Sequence, residues 1–143
     1  MTKYFPSARS KSLGIFLWAI LLLSFGFSFY QAIENSAFSQ FIIVFSISII
    51  TIIFIGTVWF KTGYYISNNT LIVKIGPFTY SKIGISNISE ISRTHSIISA
   101  PANSFKRLAI KSVNKILVVI SPKEEQDFIK SIKKLNPKIV VNL

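Results

Sequence analysis

Side chains that could carry acid–base, nucleophilic or metal chemistry are few in this 143-residue chain. There is no cysteine, which excludes a thiolate nucleophile, a disulfide and a Cys-ligated metal site. The one histidine, His95, stands in a Ser-rich stretch where a surface role is the commonest. The acids beyond residue 61 are Glu90 and the group Glu124, Glu125 and Asp127, which lies at a predicted helix start and suits capping. No phosphate loop, dinucleotide motif or metal-ligand spacing occurs. We therefore predict a protein that is not an enzyme, with no catalytic residue, metal or cofactor.

Positive charge is the main chemical property that remains. The chain has a net charge of +11, and residues 61–143 hold 13 Lys or Arg against 4 Asp or Glu. Nucleic acid is disfavoured as a partner because the aromatic residues do not interleave with the basic ones as a stacking platform would. An anionic membrane surface attracts each nearby basic residue by about 1 kcal/mol and is one candidate partner. A solvated positive surface without a specific ligand is the alternative.

One segment, 94–107, is the best candidate for a binding site. It is long for a connection between two strands, and loops of this length are often functional. It combines apolar, hydroxyl and basic side chains, and the candidate binding residues are Ile97, Ile98, Ser99, Pro101, Ser104, Lys106 and Arg107. The alternative is that Ile97 or Ile98 caps the interior of a barrel.

The elements that must position this segment begin with a long apolar region in the N-terminal part of the chain. Between Ser12 and Phe60 the only side chain charged at pH 7 is Glu34. Residues 13–30 and 41–60 would form helices of about 27 and 30 Å, and a hydrocarbon core is roughly 30 Å thick. We predict two transmembrane helices over these ranges, joined by a polar turn at 31–40. A cleaved signal peptide is the alternative for the first, disfavoured because no small-residue cleavage site follows it.

Charge around the two spans predicts their orientation. Lys3, Arg9 and Lys11 precede the first span, the connecting turn has no Lys or Arg, and Lys61 follows the second. Basic residues concentrate on the cytoplasmic side, so we expect a multi-pass protein of the cytoplasmic membrane with both termini cytoplasmic. The spans hold no Lys or Arg, which favours an anchor over a pore. Their Ser and Thr hydroxyls are expected to bond to the helix backbone or to a neighbouring helix.

Residues 61–143 change to short alternating runs and form one predicted cytoplasmic domain. Strands are predicted at 62–67, 71–75, 78–83, 88–94, 107–112, 115–121 and 139–143. Ser121-Pro122-Lys123-Glu124 predicts an N-cap followed by a helix, which Asn136-Pro137 ends. Phe128, Ile132 and Leu135 would form its apolar face. The pattern predicts a small barrel or curled sheet closed by one C-terminal helix.

Several short motifs follow one another in this domain: Gly76-Pro77-Phe78, Ile88 with Ile91, Ser99-Ala100-Pro101-Ala102 with Ser104, Arg107 and Leu108, Ile120-Ser121-Pro122-Lys123, and Asn136-Pro137. As an ordered set they resemble the bacterial YyaB-like pleckstrin-homology (PH) family over nearly all of 62–143. The resemblance implies a two-span transmembrane α-hairpin followed by a mainly β PH-like barrel with a C-terminal α-helix. The first turn, 67–70, has no Lys or Arg, so phosphoinositide recognition is not implied.

Two functions are compatible with this organisation. The first is a membrane-anchored, non-catalytic binding or scaffold module at the inner face of the membrane, contacting the bilayer, its anionic headgroups, a membrane protein or other copies of itself. The second is self-protection against a membrane-active bacteriocin-type peptide, because the family resemblance extends to bacteriocin immunity proteins.

Overall fold

The computed structural model describes residues 2–34, 38–94, 104, 106–113 and 115–143. A short strand precedes two long helices, and seven further strands and one helix follow them. The elements are β1 (Lys3–Pro6), α1 (Lys11–Glu34), α2 (Phe38–Lys61), β2 (Gly63–Ser67), β3 (Thr70–Ile75), β4 (Phe78–Gly84), a 3₁₀ turn (Ile85–Asn87), β5 (Glu90–Thr94), β6 (Arg107–Ser112), β7 (Lys115–Ile120), α3 (Glu125–Leu135) and β8 (Val140–Asn142).

Helices α1 and α2 form an apolar hairpin. Each has 24 residues, or about 36 Å of helix, and both are long and apolar enough to cross a membrane. They pack on each other through Phe25 and Phe45, whose ring centroids are 5.9 Å apart. None of the residues in their apolar windows is buried inside the protein, which distinguishes them from core helices of a globular domain.

Several hydroxyl groups of this hairpin bond to the backbone of their own helix, one of the two contacts that the sequence predicted. Ser28 donates to the Ser24 carbonyl at 2.9 Å, and Ser48 donates to the Val44 carbonyl at 2.8 Å. The Thr51 hydroxyl makes the same contact one turn back, at 2.8 Å. These hydroxyls therefore place no unsatisfied donor on the apolar surface.

The first β-sheet contains a strand that the sequence pattern did not predict. Its order is β1-β2-β3-β4, with every neighbouring pair antiparallel. In β1, Lys3 lies opposite Ile66 and Pro6 lies opposite Gly63, although residues 3–6 were predicted to belong to an N-terminal tail. The α1–α2 hairpin is therefore inserted between two adjacent, paired strands.

The second sheet has the order β7-β6-β5-β8. Strands β5, β6 and β7 are antiparallel, whereas the predicted C-terminal strand, β8, returns to pair with β5 in parallel. The chain passes between the sheets through the 3₁₀ turn. Ile85 begins this turn and Ile88 follows it, one 3₁₀ turn later, while Ile91 lies in β5; all three are buried.

Helix α3 packs on the apolar core that both sheets share. Phe128, Ile129 and Ile132 are buried, and the Phe128 ring meets the Phe5 ring edge to face with centroids 5.3 Å apart. Leu135, which was predicted to share this face, is not part of the core, because its side chain is 47% exposed near the helix end. Ile129 takes that place in the core.

The predicted start of α3 was also wrong. The helix begins at Glu125, with Glu124 at the N-cap position and no side-chain cap. Ser121 is fully buried, and its backbone N–H and carbonyl are bound to Tyr64 and Ala8. Pro122 forms an isolated bridge with Ser7. Tertiary contacts to β2 and to the residues that follow β1 thus occupy polar groups of Ser121.

Candidate functional site

A buried polar cluster lies where β1 ends and β7 ends. The Tyr64 phenol donates to the Ser7 hydroxyl at 3.1 Å and accepts a hydrogen bond from the Ser121 backbone N–H at 2.9 Å. The hydroxyls of Ser7 and Ser121 lie 3.2 Å apart. Burial raises the pKa of Tyr64 above its ordinary value, and the hydrogen bonds from the two serines only partly oppose this effect. The neutral phenol is therefore the stable form.

This cluster has a structural role. Next to it the Ala8 N–H donates to the Ser121 carbonyl at 2.6 Å, and the Lys123 N–H donates to the Pro6 carbonyl at 2.9 Å. Every buried side-chain nitrogen or oxygen in the described part of the chain has a hydrogen-bond partner. A satisfied, neutral network of this kind joins two sheets and has no group free to act as a base.

An open cavity of about 320 Å³ adjoins the cluster at the base of the helical hairpin. Its lining is formed by Pro6, Ser7, Ala8, Arg9 and Lys123. The two cations come from different connections: Arg9 lies between β1 and α1, and Lys123 lies between β7 and α3. The cavity can therefore offer an anionic group two positive charges from separate segments of the chain.

Arg9 is fixed at the end of α2. Its guanidinium donates to the Phe60 carbonyl at 2.9 Å and lies 4.9 Å from the centre of the Phe60 ring. An arginine has five N–H donors, so the bond to Phe60 leaves others for a ligand. One lining residue of the cavity, Arg9, thus contacts the last apolar residue of α2.

The predicted site residues occupy a different region. Arg107 is buried, and its Nε donates to the Ser104 carbonyl at 2.8 Å, while the Lys106 backbone N–H reaches the Ser104 hydroxyl at 3.3 Å. The structure brings these three residues together at the start of β6. The remaining predicted site residues, Ile97, Ile98, Ser99 and Pro101, lie outside the described residues, as does His95.

The sequence did not predict that Arg9 and Lys123 line the same cavity. The signal for Arg9 was its place just before the apolar run, which was interpreted only as a topology marker. Lys123 stood inside a motif interpreted as a helix start. Nothing local connects two residues so far apart in the chain.

Two of the acidic residues, Glu90 and Glu125, contact basic or amide side chains at the surface. The Asn142 amide, 3.3 Å from the Glu90 carboxylate, and the Lys111 ammonium, at 3.2 Å, lower the pKa of Glu90. Glu125 forms an ion pair with Arg93 at 2.7 Å. Within the described residues, no group of three His, Cys, Asp or Glu could hold a metal ion.

Comparison with known proteins identifies the β domain. No curated protein and no solved structure matches the chain. The family model described as Bacterial PH domain matches residues 62–136, which begin just before β2 and end just after α3. Strand β1 and the helical hairpin precede the matched part. Two β-sheets closed by a C-terminal helix fit this assignment, and the chain belongs to the bacterial PH domain family.

Proposed function

We propose that this protein is a membrane-tethered, non-catalytic binding module whose PH domain is held against the inner face of the membrane by the α1–α2 hairpin. The observation that carries the proposal is the pairing of β1 with β2 on either side of the hairpin. Paired strands must lie on one side of a membrane, so the hairpin would cross it twice. The basic residues at both ends of the hairpin favour the cytoplasmic side.

The same pairing argues against a cleaved signal peptide. Cleavage after α1 would separate β1 from the rest of the protein, and with it Phe5, which is 1% exposed and packs on Phe128. Loss of a buried aromatic ring typically destabilises a domain by about 3–5 kcal/mol. An uncleaved anchor keeps this part of the core in place.

The ligand we propose is the phosphate of an anionic phospholipid, bound in the cavity between Arg9 and Lys123. Arg9 is two residues from the start of α1 and bonds to the end of α2, which is the level at which headgroups would lie. A guanidinium is suited to phosphate because its fork of N–H donors matches the phosphate oxygens. Lys123, which lines the same cavity, supplies a second positive charge.

Lipid-dependent stability of the purified full chain tests this proposal. A ligand that binds only the folded state raises the melting temperature. We expect phosphatidylglycerol added to detergent micelles to raise it more than phosphatidylcholine does, and we expect the difference to shrink in high salt. Lys123→Gln should remove most of the difference in melting temperature between the two lipids. The substitution deletes one of the two positive charges of the cavity and leaves the Arg9–Phe60 hydrogen bond intact.

Lys115→Gln is the matched control. It removes the same charge from the exposed start of β7 and should keep the full response to phosphatidylglycerol. Equal stabilisation by the two lipids, or an equal loss in both variants, would reject the cavity as a headgroup site. Protection against a membrane-active peptide stays a separate prediction, which the peptide sensitivity of a deletion strain tests.

A further inference from the structure

The turn between β3 and β4, formed by Gly76 and Pro77, lies directly against the last turns of α2. A Cβ atom on Gly76 would be 3.4 Å from the Val58 Cα and 3.5 Å from the Thr57 carbonyl oxygen. Gly76 also has a φ of +57°, a backbone conformation that residues other than glycine rarely adopt. Glycine is the residue that permits this approach of turn and helix.

The strand register puts this turn on the helix side of the domain. Gly63, two residues after α2, lies opposite Lys74, so Ile75 and the turn extend past Gly63 towards the helix. Thr57 and Val58 precede Lys61 by four and three residues, or about 4.5–6 Å along the axis. The turn therefore lies beside the apolar part of α2 and not beside its basic end.

Phe78 follows this turn with its ring uncovered. It is the first residue of β4, the outer strand of its sheet, and its side chain is 62% exposed. Pro77 is also exposed. The Phe78 ring is therefore exposed near the end of an apolar helix. Membrane proteins concentrate aromatic residues at this level, which is the membrane–water interface.

We infer that the β3–β4 turn and the Phe78 ring insert into the boundary between lipid headgroups and hydrocarbon, as a third membrane contact beside α1 and α2. This inference rests on the proposed function, since it requires α2 to span the bilayer. The bilayer is the occupant because the turn lies beside α2 at Thr57 and Val58, where a Cβ on Gly76 would already touch the helix backbone. Three points of attachment would fix the tilt of the PH domain on the membrane, whereas two adjacent helices leave it free to rock.

Nitroxide labels on single cysteines test the depth of Phe78, because the chain has no cysteine of its own. Three variants of the full chain are reconstituted in phosphatidylcholine–phosphatidylglycerol vesicles: Phe78→Cys, Lys82→Cys and Ile47→Cys. Lys82 is exposed on the same strand, about 13 Å farther from the turn. Ile47 is 58% exposed in the middle of α2. Relaxation by oxygen, which favours lipid, is compared with relaxation by a water-soluble nickel chelate.

We expect the ratio of oxygen to nickel accessibility to fall in the order 47, 78, 82, with position 78 clearly on the lipid side of position 82. A lipid-like ratio at 47 together with equal, water-like ratios at 78 and 82 would overturn the insertion of Phe78 and leave the anchor intact. Low accessibility of position 78 to both reagents would also overturn it, because it would indicate a protein contact, such as a second copy. A water-like ratio at 47 would instead reject the proposed function itself.

Discussion

The ring of Phe5 meets the ring of Phe128 edge to face, with 5.3 Å between the centroids, although the two helices of the hairpin lie between these residues in the chain. Phe5 precedes α1, and Phe128 belongs to the helix that closes the domain. The contact is possible only if both residues are on the same side of any membrane that the hairpin crosses.

The first prediction concerns this topology. We expect cysteines placed at Thr2 and Val113 to be protected from an impermeant thiol reagent in intact cells, and a cysteine at position 36, between α1 and α2 in the chain, to be labelled. Val113 is 84% exposed, so protection there would report the membrane barrier and not burial. The native chain lacks cysteine and serves as the blank. Different outcomes at Thr2 and Val113 would contradict the pairing of β1 with β2 across the hairpin.

The second prediction is that the hairpin can be replaced by a tight turn. Ser7 donates from its backbone N–H to the Thr62 carbonyl at 3.2 Å, so a two-residue Asn-Gly link between them should join β1 and β2 as an ordinary β-hairpin. We expect this shortened chain to be water-soluble and to unfold cooperatively in urea, with a circular dichroism spectrum that is mainly β.

A chain that begins at Thr62 is the control for this experiment. It keeps the whole of the matched family region but lacks β1, and Phe5 alone should account for about 3–5 kcal/mol of stability. Phe5→Ala in the shortened chain should reproduce most of this loss. Equal stability of the chains with and without residues 2–7 would mean that β1 is not part of the folded domain.

The elements that the sequence predicted well are those encoded locally. The predicted spans 13–30 and 41–60 lie within α1 and α2, and strands β2, β3, β6 and β7 lie within about one residue of their predicted ranges. Each has a run of apolar or alternating residues that identifies it without reference to the rest of the chain.

The elements that the sequence did not predict depend on distant partners. Strand β1 is four residues long and ends in proline, so it has no periodic signal, and its partner follows only after both helices. Ser121 has a typical N-cap context, yet its polar groups bind Tyr64 and Ala8 instead. The cavity between Arg9 and Lys123 follows from these same contacts and could not be predicted without them.

The third prediction concerns Tyr64. Tyr64→Phe should destabilise the domain by about 1–3 kcal/mol, because the buried Ser121 N–H loses its acceptor. Tyr80→Phe, at a residue 50% exposed on β4, is the matched control and should change stability little. Urea unfolding of both variants and the parent at pH 7 measures the difference.

Alkaline pH should separate the parent from Tyr64→Phe further. The raised pKa of Tyr64 means that the folded domain holds this proton more tightly than the unfolded chain does. The protonated Tyr64 phenol therefore makes its full contribution to the free energy of unfolding below the ordinary tyrosine pKa of about 10. This contribution is lost as the pH rises through and above that value. The stability gap between the parent and Tyr64→Phe should narrow above pH 10. A gap that stays constant to pH 11 would argue against a buried, proton-holding phenol.

The fourth prediction concerns Asn136, at the C-terminal end of α3. Its Nδ2 donates to the carbonyls of Ile85 and Ile88 at 3.0 and 3.3 Å, which joins the helix to the connection between the two sheets. Asn136→Ala would leave these carbonyls without this donor and should destabilise the domain by about 1–3 kcal/mol. Asn142→Ala, whose amide contacts Glu90 at the exposed edge of β8, should cost about 0.5 kcal/mol or less.

Urea unfolding of the shortened chain carrying either substitution measures this difference without interference from the helical hairpin. The sequence identified Asn136 only as a residue that ends a helix. If it did no more, Asn136→Ala would retain stability, because the backbone at this residue is extended (φ −139°, ψ 91°) and alanine adopts that conformation without strain. A stable Asn136→Ala variant would therefore assign the residue to helix termination alone.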